Sequence, residues 1–385
     1  MMNLDQEAAL PQVNMQPERR NAPGERRRIK GLDGIRAVAF LMVLGGHSGY
    51  SWIPNGFGVT VFFFLSGYLI TTLLRLEWLE KQDISIGEFY IRRTFRILPP
   101  FYIAVIFAIT MAAAGLTPSS VHWKSLVVVQ LFLTNYSDYL IGSTMTTGLI
   151  VLWSLAVEEH FYLIFPWAYR ALLKKVSGVS RQVILFGGLC LLVLVWRTVL
   201  MIVFHADWHR VYSGTDTRVD SILYGSILAI AANPAIDRID YLSRRQCTWV
   251  AFAGAVILAV SIAARDEIFR QTVRYTIQGL ALLPIFFFVV RYSDSALTRM
   301  LEARVLTHVG ELSYSLYLVH ATVLVMVQTF VGRQPLVDLA LTSAISYPLA
   351  LGIYRFVERP SHRLRNRALR MYQYRSLNAE PVSAS

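Results

Sequence analysis

Apolar residues in this chain come in runs of about twenty, separated by short polar stretches in which arginine and lysine recur. The runs fall near Leu32–Tyr50, Phe57–Leu76, Ile97–Leu116, Leu149–Leu173, Val183–Phe204, Val219–Ala232, Thr248–Ala264, Thr272–Val290, Leu312–Val331 and Val337–Val357. A helix of about 20 apolar residues is what the roughly 30 Å hydrocarbon core of a bilayer demands. The pattern therefore predicts about ten transmembrane helices. One further segment, Val121–Tyr139, is apolar only from Leu126 to Leu133 and ends in the polar run Asn135–Asp138. Periodicity alone does not say whether it crosses.

Charge does. If Val121–Tyr139 stays on one side, every major basic cluster falls on the side of the N-terminus: Arg19–Lys30, Arg92 with Arg93 and Arg96, Lys174 with Lys175 and Arg181, Arg238 with Arg244 and Arg245, Arg291–Arg304, and Arg359–Arg375. If it crosses, every later cluster changes sides. Basic loops are retained in the cytoplasm, so the expected protein is all-α and polytopic with both termini cytoplasmic. Arg210, Arg218, Arg265, Arg270 and Arg333 are the exceptions, at or beyond the outer boundary. The expected organisation is a disordered basic tail over 1–30, a membrane domain over 31–362 and a basic cytoplasmic tail over 363–385. The tail before the first run has no apolar core of a cleavable signal peptide, so that run reads as an uncleaved span.

Composition agrees and narrows the classes. Of 385 residues, 55% are hydrophobic and only 16% charged, with a mean hydropathy of +0.45, which excludes an ordinary water-soluble domain. The formal net charge of +12 is accounted for by basic residues held on the cytoplasmic side, so nucleic acid is not an expected partner and membrane lipid is. Cys190 and Cys247 have none of the paired spacing that binds metal. No internal repeat is visible.

The informative residues are those a membrane should exclude. A charge at the centre of a spanning helix costs about 2.5–3.5 kcal/mol on insertion scales, so each one needs a partner or a task. Arg36 and His47 lie in the first run, Glu158, Glu159 and His160 in the fourth, Arg197 in the fifth, Asp220 at the start of the sixth and His320 in the ninth. Arg36 and His47 are eleven residues apart, three helical turns plus about 20°, so they share one face about 16 Å apart. Arg36 could instead snorkel beside Asp33, and His47 could be a buried imidazole satisfied by a carbonyl. Gly45, Gly46, Ser48 and Gly49 favour an open helix face for a ligand beside His47. The consecutive acids Glu158 and Glu159 point about 100° apart and cannot share one partner. Glu158 is either ion-paired, with Arg36 or Arg197, or available to handle protons. Arg92 and Arg96 are one turn apart before Pro99-Pro100 and, with Arg93, could form a fork for phosphate or merely anchor the topology.

Seven short motifs in order give the chain a family resemblance. They are Gly31-Leu32-Asp33-Gly34-Ile35-Arg36-Ala37 with His47; Gly58-Val59 through Phe62–Ile70; Phe89-Tyr90-Ile91-Arg92-Arg93 with Arg96-Ile97 and Pro99; Trp153-Ser154-Leu155 with Val157-Glu158-Glu159; Arg218 with Asp220; Ser313–His320; and Glu358-Arg359-Pro360. Spread over residues 31–362, this pattern resembles the integral-membrane acyltransferase 3 family, whose members acylate surface carbohydrates and lipids. His160 departs from it, since the family more often has glutamine there. The chain also ends before the esterase-like C-terminal domain that some relatives carry.

The resemblance implies a bacterial plasma-membrane O-acyltransferase. It would move an acyl group, acetyl by expectation, from cytoplasmic acyl-CoA to a hydroxyl of a glycan or lipid-linked sugar, without a metal. His47 would act as base, Glu158 as its orienting partner, Arg36 as a charge stabiliser, and Arg92, Arg93 and Arg96 as the CoA-binding cluster. A proton-coupled transporter or flippase of glycans or lipids is the competing class, because it too places histidine and glutamate near the midplane.

Overall fold

The computed structural model describes residues 28–379, apart from 119, 143, 144, 147, 177 and 238–241. The N-terminal tail through residue 27, Ser177, Arg238 and residues 380–385 lie outside the described residues. The helices are α1 (Leu32–His47), α2 (Asn55–Lys81), α3 (Ile86–Ala113), α4 (Trp123–Gln130), α5 (Ser137–Leu140), α6 (Trp153–Lys175), α7 (Val179–Ile202), α8 (Trp208–Ser213), α9 (Thr215–Ala231), α10 (Arg244–Ala263), α11 (Glu267–Gln271), α12 (Val273–Arg291), α13 (Ala296–Leu301), α14 (Arg304–Val331), α15 (Pro335–Ile353) and α16 (Arg359–Ala379). There is no strand among the described residues. The protein is an all-α polytopic membrane protein. Each of the ten apolar runs is a helix, and α2, α3, α7, α10, α12, α14 and the continuous stretch from α15 into α16 are each long and apolar enough to span alone.

Ion pairs show which helix ends share a face. On one face, Arg28 meets Asp33 at 2.7 Å, Arg75 meets Asp237 at 3.0 Å, Arg170 meets Asp83 at 2.5 Å and Arg244 meets Asp294 at 2.6 Å. On the other, Arg210 meets Asp216 at 2.6 Å and His209 meets Asp138 at 3.1 Å, while the Gln328 amide donates to Asp338 at 2.8 Å. The ten helices α1, α2, α3, α6, α7, α9, α10, α12, α14 and α15 alternate between these faces. Residue 28 and α16 lie on the same one. Between α3 and α6 the chain does not cross: α4 has eight residues, about 12 Å, far short of a bilayer. The arginines at 92, 93 and 96 are on α3 itself, which starts at Ile86 behind its Ser85 cap, well before the apolar run.

The centre of the bundle is the α2–α9 pair, where both helices are buried along most of their length. A Cβ on Gly67 would lie 1.8 Å from the Ile222 carbonyl oxygen, and one on Gly225 would lie 2.0 Å from that of Phe64. Two backbones therefore touch at these glycines, as small residues allow in membranes. Beside them Arg197 and Asp220 form a fully buried pair at 3.0 Å. The guanidinium also donates to the carbonyls of Thr217 and Thr272 and to Thr276 Oγ1, so its buried donors are used and α7, α9 and α12 are stapled together.

Because the obstacle at both glycines is backbone that cannot rotate away, Gly67→Val or Gly225→Val should cost at least the about 1–3 kcal/mol of an overpacked core. Thermal unfolding of detergent-purified protein should show a lowered midpoint or loss of the monodisperse species. Exposed Gly188→Val on α7, with nothing within 4 Å, should change little.

Candidate active site

His47 is the last residue of α1, half-buried, and His320 lies in the middle of α14, fully buried. His47 Nδ1 and His320 Nε2 are 3.1 Å apart. The rings are inclined by 9° with centroids 5.3 Å apart. With that N–N contact, the geometry is two rings edge to edge in nearly one plane, a hydrogen bond rather than a face-on stack. His320 Nδ1 is 2.7 Å from the Tyr317 carbonyl oxygen, which can only accept. Nδ1 of His320 therefore carries the proton, and Nε2 of the neutral ring accepts from His47 Nδ1–H. The chain of donors leaves His47 Nε2 with a free lone pair.

The surroundings hold this pair in place. Phe40 packs edge-on against His320 at 5.7 Å and Tyr317 lies at 5.4 Å. The Tyr317 hydroxyl donates to the Val151 carbonyl at 3.1 Å and is 2.7 Å from Ser154 Oγ, which ties α14 to the start of α6. Gly45 and Gly46 do not open a ligand face, contrary to their sequence reading. The turn after α1 folds back so that Ile53 and Asn55 fill the space a Cβ would take.

Glu158 lies one turn after Ser154 on α6. Its Oε2 accepts from the Tyr162 hydroxyl at 2.9 Å, and Ser66 is a second hydrogen-bond partner. Among the described residues it has no hydrogen bond to His47 and no cation within ion-pair distance; Arg93 and Arg36 are the positive charges nearest in effect. The structure thus joins His47 to His320 and sets Glu158 in a separate cluster, with Arg197 taken by Asp220. Ser154, Glu158 and Tyr162, on successive turns, make α6 a polar column leading from the histidines toward the arginines.

At the far end of that column, Arg36 is half-buried and 3.2 Å from Asp33. The three arginines of α3 divide. Arg92 is clamped by Glu88 at 2.7 Å and Glu77 at 2.9 Å, joining α3 to α2. Arg93 lies over the Tyr162 ring at 4.9 Å, and neither it nor Arg96 has a carboxylate within ion-pair distance among the described residues. His160 belongs to neither cluster. Its Nδ1 is 2.7 Å from Thr215 Oγ1 and its ring lies beside Tyr136, so it fastens α6 to α9 at the opposite face.

Sequence comparison places this geometry. The acyltransferase domain family matches residues 29–355. The chain belongs to the acyltransferase 3 family. It is 29% identical to the peptidoglycan O-acetyltransferase OatA of Listeria monocytogenes over 351 residues, covering 87% of this chain and 56% of that protein. It is 31% identical to the O-acetyltransferase OatA of Staphylococcus aureus over 353 residues, covering 87% and 57%. The chain thus spans a little over half the length of these relatives. No solved structure matches it.

His320 was visible in the sequence as an intramembrane histidine, but nothing in the spacing ties it to a residue 273 positions away; Tyr317 entered only as a member of the Ser313–His320 motif, with no contact or role attached to it. The clamp on Arg92 generates a stability prediction. Arg92→Ala leaves the buried carboxylates of Glu77 and Glu88 with only the exposed Lys81 ammonium, 3.5 Å from each, as their shared cation, a loss of about 1.5–3 kcal/mol for charge-assisted bonds. Arg92→Ala should lower the unfolding midpoint of the purified protein more than Arg93→Ala does.

Proposed function

We propose that this protein is a membrane-embedded O-acyltransferase that moves an acetyl group from cytoplasmic acyl-CoA to a hydroxyl of a cell-envelope glycan or lipid-linked sugar in the bacterial plasma membrane. The observation that carries the reading is the free lone pair on His47 Nε2, held by His320 at the end of a polar column that begins at Arg36, Arg93 and Arg96. The family membership supports the reaction type, and the name of the Listeria relative supports a glycan acceptor. Basic helix ends on one face support placing that face, with both termini, in the cytoplasm.

In this mechanism the acceptor hydroxyl attacks the thioester carbonyl while His47 Nε2 takes its proton. The resulting imidazolium keeps its Nδ1–H bond to His320, which spreads and stabilises the new charge. Collapse of the tetrahedral intermediate breaks the C–S bond, and the leaving thiolate recovers the proton from Nε2. Atoms and charge balance without a further reactant. Arg93 and Arg96 hold donor phosphates in a half-buried space where, among the described residues, neither has a carboxylate within ion-pair distance. Arg36 adds positive potential between them and the base. Glu158, bonded to Tyr162 and Ser66, keeps the column polar and orders Tyr162 beneath Arg93, a positioning role.

Transfer of labelled acetyl from acetyl-CoA by the purified protein tests the reading. His47→Ala should lose about 10²–10⁴-fold in turnover, the range for removing a general base. His320→Ala should lose nearly as much, and the double variant should be scarcely worse than His47→Ala, because groups acting as one unit are not additive. Near-normal transfer by stably inserted His47→Ala would remove the histidine from the chemistry. Orientation is tested separately by cysteines introduced at Gln82 and His209, which should label only from the cytoplasmic and only from the outer side, respectively.

A further inference from the structure

We infer that α16 forms the second wall of the donor site, with Arg365 and His362 binding phosphate alongside Arg96; this rests on the acyl-CoA donor proposed above. The helix lies beyond residues 29–355, with only its first residues in the Glu358-Arg359-Pro360 motif, and nothing in the family match assigns Arg365 a role. Its placement does. α16 runs antiparallel to the first turns of α3: the Tyr372 ring covers Gly87, and the Gln373 amide donates to Glu88 Oε1 at 2.9 Å. At the other end, a wider π turn at Tyr354–Glu358 carries Glu358 inward to accept from Ser315 Oγ at 2.5 Å, next to Tyr314, whose hydroxyl donates to the Ile97 carbonyl at 3.0 Å.

Starting from the pairing of 88 with 373, one turn along each helix sets Arg92 opposite Leu369. A second turn sets Arg96 opposite Arg365, with His362 on the following turn. The charges that act on Arg365 are those of Arg96 and Arg92, and those on His362 are Arg365 and Arg96. Arg36 also faces Arg96. Arg36, Arg96, His362 and Arg365 are all half-buried. Among the described residues Arg365 donates only to its neighbour Asn366, and Glu358, the carboxylate facing Arg96, is already engaged by Ser315. Cationic groups gathered in partly desolvated space repel one another and lose hydration, a cost that an anion seated between them offsets. Two guanidinium forks and an imidazole on facing helices suit a phosphate or pyrophosphate, whose oxygens accept several charge-assisted bonds at once. The phosphates of a coenzyme A thioester and the headgroup of an anionic lipid share that chemistry.

The test is calorimetric titration of the full-length protein in detergent with CoA, paired with the KM for acetyl-pantetheine, a thioester without phosphates. Arg365→Ala should raise the CoA Kd at least about tenfold, the scale of one charge-assisted bond, and leave the acetyl-pantetheine KM unchanged. His362→Ala should weaken CoA several-fold, Arg365→Lys should recover part of the loss, and Arg367→Ala, exposed on the same helix, should bind CoA as the wild type does. An unchanged CoA Kd in a stably folded Arg365→Ala protein overturns the inference, as does an equal loss with acetyl-pantetheine. Native mass spectrometry of the same variants with phosphatidylglycerol separates the sources: loss of retained lipid with unaltered CoA affinity makes this a lipid site and overturns the nucleotide assignment. Failure of the wild type to bind CoA overturns the donor reading itself, and the inference with it.

Discussion

A carbonyl oxygen can accept a hydrogen bond and never donate one, and the Tyr317 carbonyl imposes that asymmetry on everything bonded to it. His320 has to place its proton on Nδ1, its Nε2 has to accept, and His47 has to donate through Nδ1. No other neutral arrangement satisfies both contacts. For a fully buried ring such as His320 an unmet donor or acceptor costs about 1–3 kcal/mol, so the order is enforced by the fold. One backbone group on α14 thereby sets the state of an imidazole at the end of α1.

This constraint needs α1 and α14 side by side at a fixed height, which their packing supplies. Phe40 and Leu44 of α1 meet Leu312 and Leu316 of α14 and Ala350 of α15 in a small apolar cluster of their own, directly beside the histidines. At its other end α1 is tied by the Gly31 amide, which donates to Glu302 Oε1 at 2.6 Å, and by Asp33 between Arg28 and Arg36. The helix is held at both ends. The distance of about 16 Å between Arg36 and His47 is therefore a fixed dimension of the molecule.

The sequence pattern located the helices well because each run had to be both apolar and about the right length, two independent requirements that few alternatives meet. The charge argument read Val121–Tyr139 as an outer-side or re-entrant element because one extra crossing would have moved every later basic cluster, and the eight residues of α4 are too few to cross. Single residues were less legible. Arg92, Arg93 and Arg96 read as one cluster in the sequence, but Arg93 and Arg96 lie near Arg36, whereas Arg92, one turn from Arg96, faces α2 and is consumed by Glu77 and Glu88. Sequence spacing gives the turn a side chain occupies and not which neighbouring helix stands there. Glu158 and His47 were paired on chemistry alone; the structure gives each a nearer partner, Tyr162 and His320. Both choices depend on contacts between helices far apart in the chain, which periodicity does not encode.

Among the ten crossing helices, three are not long and apolar enough to span by themselves, and two of them, α1 and α6, hold Arg36, His47 and Glu158. α1 has 16 residues and α9 has 17, while α6 contains Glu158, Glu159 and Arg170. A helix facing lipid must be apolar around its whole circumference, whereas one enclosed by other helices is solvated by their side chains and can be short and polar. α9 is buried along nearly all of its length, and its Asp220 is answered by Arg197 from α7. The lipid-facing helices α7 and α10 meet the hydropathy demand with most of their surface exposed. Departure from the transmembrane pattern is thus itself a physical pointer: in a polytopic bundle, a span too short or too charged to enter lipid alone is one the fold has enclosed, and its polar side chains are answered by the helices around it.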